Sequence, residues 1–171
     1  MTANFVQLDY SVKNFKTYLF TTLFIGGNLI LPQLCHLIPD GGFILLPIYF
    51  FTLIASYKFG LKVGLLTAIF SPLVNSLIFG MPAVAVLPVI LIKSTVLATV
   101  ASLIAQKSKS ISLLMIALVI LAYQFLGGIA EFIITSDFNA ALKDFAIGYP
   151  GMLLQLFGGW FILKLMAKNE F

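Results

Sequence analysis

Phe59-Gly60-Leu61-Lys62-Val63-Gly64, followed by Ser71-Pro72-Leu73-Val74-Asn75-Ser76 and Phe79-Gly80-Met81-Pro82, joins two long apolar runs through a lysine-flanked turn and ends in a second turn. It places small residues at helical spacing and a proline inside a hydrophobic segment. The next apolar run carries an ionisable side chain, Lys93. Each feature is costly or odd alone. Together they describe helices that cross a bilayer and meet at a polar pocket.

Composition points the same way. Of 171 residues, 61% are hydrophobic and 9% charged, and the mean hydropathy is +1.09. So little polar surface cannot coat a water-soluble globule of this length, so an all-α integral membrane protein is expected. A spanning helix takes roughly 20 apolar residues. The chain is therefore read as one transmembrane domain, residues 1–171, with six helices over residues 18–37, 43–57, 61–79, 84–105, 111–134 and 149–166. The second run is short enough to be tilted or to lie partly beside a loop. The runs are continuously apolar and do not alternate, which excludes a transmembrane β-barrel. Residues 135–148 form the long polar connection. Residues 1–16 show no cleavage pattern, so no removable signal peptide is expected. With one cysteine, Cys35, and one histidine, His36, neither a disulfide nor a Cys/His metal cluster can form, and no metal or cofactor is expected.

Lysine placement orients the chain. Lys13, Lys16, Lys58, Lys62, Lys107, Lys109, Lys164 and Lys168 share one side if there are six crossings. The positive-inside rule then puts both termini in the cytoplasm and the protein in the inner (cytoplasmic) membrane. The net charge of +4 is an orientation signal. Arginine is absent and no basic run alternates with aromatics, so no nucleic-acid partner is expected.

Depth follows from the helical rise. Lys93 lies roughly 13 Å from the outer end of the fourth run. Glu131 is close to the outer end of the fifth and Gln124 is two turns deeper. Gln33 and His36 end the first run on that side, Asn75 ends the third, and Gln155 lies in the outer part of the sixth. An ionised group at membrane depth costs at least ~2.5–3.5 kcal/mol, so it is paired or lines a wet cavity. These seven residues are the candidate substrate site. An anionic group on a ligand would use Lys93, with Glu131 accepting hydrogen bonds or holding the lysine. In the bland alternative Lys93 and Glu131 are a structural ion pair, and Gln33, Asn75 and Gln155 are interhelical glue. Cys35 reads as a packing residue.

Gly60, Gly64 and Ala68 recur every four residues, as do Thr22 and Gly26, and such stripes let helix backbones approach closely. For Gly60 and Gly64 packing within the chain is the simpler reading. Thr22 and Gly26 suit a partner surface.

The stretch from Pro47 through Lys58-Phe59-Gly60, Gly64-Leu65-Leu66, Ser71-Pro72-Leu73, Gly80-Met81-Pro82 and Leu87-Pro88 resembles the substrate-binding S component of energy-coupling factor (ECF) transporters. That resemblance implies a six-helix membrane subunit capturing a vitamin or related micronutrient near the outer face. It also implies partners: a transmembrane coupling subunit and two ATP-binding subunits. In the family an Ala-x-x-x-Ala motif of the first helix docks the coupling subunit, and this chain has Thr22-x-x-x-Gly26 there. No phosphate-binding Gly-x-x-x-x-Gly-Lys-Ser/Thr loop is present, so the chain is not expected to be the enzyme that hydrolyses ATP. A stand-alone ion-coupled carrier, an intramembrane enzyme using Lys93, Glu131 and His36, and a membrane assembly protein stay open.

Overall fold

The computed structural model describes residues 5–168, and the regular structure among them is entirely helical. The side chains of Ala140, Lys143 and Lys168 are outside the described set, so the parts of Lys143 and Lys168 in the charge pattern rest on sequence. The elements are α1 (Phe15–Cys35), α2 (Gly41–Leu45), a 3-10 turn (Pro47–Tyr49), α3 (Phe50–Phe79), α4 (Leu87–Ser108), α5 (Leu113–Thr135), α6 (Phe138–Ala146), α7 (Tyr149–Leu153), a π turn (Leu154–Gly158) and α8 (Gly159–Lys168).

Gly60 breaks α3 into two arms. Its φ of 85° and ψ of −179° lie in a region essentially closed to other residues. The arms fold back on each other there. Thr52 Oγ1 and Ser71 Oγ lie 3.0 and 3.1 Å from the same atom, Nδ2 of Asn28 on α1. In an unbroken helix the two hydroxyls would stand roughly 28 Å apart. Likewise a Cβ placed on Gly64 would fall 2.9 Å from the Cα of Ser56, so the small residue at 64 is what lets the arms close.

The first arm, residues 50–59, is buried along nearly its whole length, including Leu53, Ile54, Ala55, Tyr57 and Phe59. Being apolar all round suits a helix enclosed by others. α1, α4 and α8 pack around α3. The N-terminal segment straps the end of the bundle that carries the Gly60 turn. The Leu8 amide donates to Lys58 O at 2.7 Å, Phe5 N–H donates to Lys109 O at 3.2 Å, and Gln7 Nε2 reaches Ser56 O at 2.9 Å. The lysine-bearing turns at 58–62 and 107–109 therefore share one end.

Polarity is inverted relative to a soluble protein. Leu114, Leu121, Phe125 and Ile133 of α5 and Leu19, Leu23 and Ile30 of α1 are exposed, whereas Asn28, Lys93, Gln124 and Gln155 are buried. An apolar exterior of this extent needs a lipid partner. Among the described residues, five helical stretches are long and apolar enough to cross a membrane, with Gly41–Phe79 counted as one.

Several boundaries differ from the sequence reading. The run 43–57 is composite, comprising most of α2, the 3-10 turn and most of the first arm, because Leu46 takes a left-handed conformation (φ 46°) between α2 and the turn. α4 begins at Leu87, not 84, since Ala83 O is taken up by the turn-forming amides of Val86 and Leu87. The run 149–166 is interrupted by the π turn. The connection 135–148 contains a helix, α6.

Candidate functional site

Lys93 projects from α4 across α5, and its path is set by Gly127. A Cβ at 127 would collide with Lys93 Cγ and lie 3.2 Å from Cδ and Cε, so glycine there lets the lysine stem lie flat against the α5 backbone. The ammonium donates to Glu131 Oε2 at 2.6 Å and to Asp144 Oδ2 at 2.8 Å. Glu131 is one turn beyond Gly127 on α5, and Asp144 comes from α6. Lys93 is the sealed member: its side chain is 3% exposed, against 18% for Glu131 and 17% for Asp144.

α6 is strongly amphipathic and packs chiefly on α5. Asp144 stands three residues after the buried Ala141, on the same inward face, which carries its carboxylate to the lysine. The three side chains form one ion cluster with a formal charge of −1.

Beside it lies a neutral polar and aromatic group. The rings of Tyr49 and Tyr123 are 5.2 Å apart, and Tyr49 is within electrostatic reach of Asp144 and Glu131. Tyr123 Oη donates to Gln155 Oε1 at 3.0 Å, and Gln155 Nε2 donates to Leu46 O at 3.5 Å. Gln155 sits in the π turn, an element that occurs mostly as a single turn and often at functional positions. Gln124 shares the α5 stripe of Gly127 and Glu131. It is 1% exposed, and neither its Oε1 nor its Nε2 has a hydrogen-bond partner.

The remaining candidates lie elsewhere. Gln33 Nε2 donates to Asn75 Oδ1 at 3.4 Å in the seam between α1 and α3. His36 is exposed, and its ring lies over Gly42, where a Cβ would be 2.7 Å from Cε1. Thr22 is exposed and Gly26 has open space at its Cβ position, so that stripe faces outward from the bundle. Of the seven candidates, Lys93, Glu131, Gln124 and Gln155 lie on α4, α5 and the π turn, Gln33 and His36 lie at the end of α1, and Asn75 lies on α3 against Gln33.

Two polar elements escaped the sequence reading. Asp144 was placed in a loop, although Phe138, Ala141, Leu142 and Phe145 recur at helical spacing and would have marked an amphipathic helix. Asn28, in mid-helix, holds both arms of α3 and also accepts from the Phe51 amide at 3.3 Å.

No family model, curated protein or solved structure matches the chain. The class defined by fold and surface is a helical multi-pass membrane protein.

Proposed function

We propose that this chain is the substrate-binding membrane subunit of an ECF-type importer, holding a vitamin or related micronutrient at the Lys93–Glu131–Asp144 cluster. The observation that carries the reading is the cluster itself: three ionisable groups from α4, α5 and α6 packed together in an otherwise apolar bundle, formally unbalanced in charge among the described side chains, with an unpartnered amide on the α5 face that carries Glu131. Intramembrane ionisable groups default to a functional role because they are expensive to keep. The sequence resemblance supplies the transporter class. In this reading the inner membrane is crossed six times, with α2, the 3-10 turn and the first arm of α3 together making one crossing and the second arm the next, and both termini are cytoplasmic. Support comes from the reversal at Gly60 and from the shared end of the lysine turns. Thr22 and Gly26 face outward for a coupling subunit, and two ATP-binding subunits supply the energy.

A second reading has one observation in its favour. Lys93 is almost wholly enclosed and hydrogen-bonded to both carboxylates, as a purely structural ion cluster would be. The experiment that separates the two is mass spectrometry of small molecules copurifying with the detergent-extracted protein. The expected result is a solute enriched with the parent and missing from the triple variant Lys93→Met, Glu131→Gln, Asp144→Asn. Retention of that solute by the triple variant, or none with the parent, leaves the structural reading. For topology, cysteines at Asn139 are expected to react with an impermeant reagent in intact cells and cysteines at Ser108 are not; the reverse pattern would invert the assignment.

A further inference from the structure

We infer that the outer cluster receives a positively charged centre, so that the solute captured there is a monocation; the inference rests on the binding-site reading above. Three observations converge. The first is charge. Among the described side chains, Lys93 formally neutralises one of its two carboxylates and leaves an excess of −1 within an apolar bundle, where an uncompensated charge is costly. One added positive charge closes that balance. An added anion would leave the cluster at −2.

The second is the order of exposure. Glu131 and Asp144 are each partly open, whereas the Lys93 side chain is sealed behind them. An arriving solute therefore meets carboxylate oxygens before it meets the ammonium. Lys93 also spends two of its three N–H donors on these partners and is held from below by the close approach of Gly127. It works as the internal counter-ion that fixes the two carboxylates, and does not face the entrance as an anion receptor. A cationic centre there stands against the expectation that Lys93 would hold an anionic group.

The third is Gln124. Its buried amide has neither atom satisfied, which is costly to keep. It lies on the stripe of α5 that carries Glu131. Gln124 lies two turns, about 10 Å along α5, from Glu131, so only a solute long enough to extend past the lysine stem from the carboxylates would use this amide, which offers both a donor and an acceptor. An extended organic cation with a hydrogen-bonding edge satisfies all three features. An inorganic monovalent ion satisfies the charge alone.

The test is thermal unfolding of the purified full-length protein in detergent, with probes at millimolar concentration and fixed ionic strength. The probes are pyridoxamine and choline as organic cations, nicotinamide as a neutral solute, nicotinate and pantothenate as carboxylates, and sodium chloride. At least one organic cation is expected to raise the melting temperature by several degrees, and Asp144→Asn is expected to abolish that shift while melting close to the parent without probe. Glu131→Asp, which keeps the charge, is expected to retain part of the shift. A shift with sodium alone, lost in Asp144→Asn, supports the monocation and assigns it to an inorganic source. A shift with a carboxylate that survives in Asp144→Asn overturns the inference but leaves the binding-site reading standing. No shift with any cation also overturns it, and copurification of a solute then decides separately whether the site reading falls with it.

Discussion

The α1–α3 seam and the Lys93–Glu131–Asp144 cluster are both largely buried polar groups in one apolar bundle, and they are built on opposite principles. In the seam, Asn28 donates to Thr52 and Ser71 and accepts from the Phe51 amide, so neutral groups satisfy one another. At the Lys93 cluster two carboxylates face one ammonium among the described side chains, and Gln124, two turns away on α5, has no hydrogen-bond partner. Self-satisfied polar groups hold helices together at little electrostatic cost. A cluster that remains unbalanced and under-bonded after folding retains capacity for something from outside.

The largest expected effect comes from removing the counter-ion. Lys93→Met leaves Glu131 and Asp144 facing each other without compensation, at a cost of about 3–5 kcal/mol. Its readout is the fraction of protein recovered folded from the membrane, which is expected to fall sharply. Recovery equal to the parent would mean that the carboxylates never depended on the lysine, and the contrast between the two regions would weaken.

The next effect sharpens the comparison from the seam side. Asn28→Ala removes three hydrogen bonds between α1 and the arms of α3, and interhelical bonds in membranes average about 0.6 kcal/mol each. A loss of about 1–2 kcal/mol is expected in thermal unfolding, with solute binding at the outer cluster unchanged. Loss of binding without loss of stability would show that the seam belongs to the site.

How much of this was legible in the sequence follows from the physics of each element. The membrane class was legible because burying charge in lipid is so expensive that composition alone carries it. The turn at 58–62 was marked by its lysines and glycine, whereas the left-handed Leu46 that makes the second run composite has no local signal, since tertiary packing imposes it. Lys93 and Glu131 stood out as charges inside apolar runs, and the structure places them 2.6 Å apart. Asp144 did not stand out, because a carboxylate in a polar connection is the ordinary case. Only the amphipathic spacing of α6 distinguishes it. Gln33, Asn75 and His36 shared the expected depth with Lys93, but depth says nothing of azimuth, and the pairing of Gln33 with Asn75 of α3 had no signal in the sequence.

The smallest expected change in stability is also the most informative. If the outer cluster is kept for binding and the seam for holding the fold, replacing all three charges by neutral side chains of similar size should cost the fold little, since buried ion clusters exchanged for well-packed neutral groups are often neutral or stabilising. The measurement is the melting temperature of solute-stripped Lys93→Met, Glu131→Gln, Asp144→Asn beside that of the parent stripped in the same way. Melting at or above the parent is the predicted result. A triple variant that melts many degrees lower would contradict it and make the cluster a structural part of the bundle.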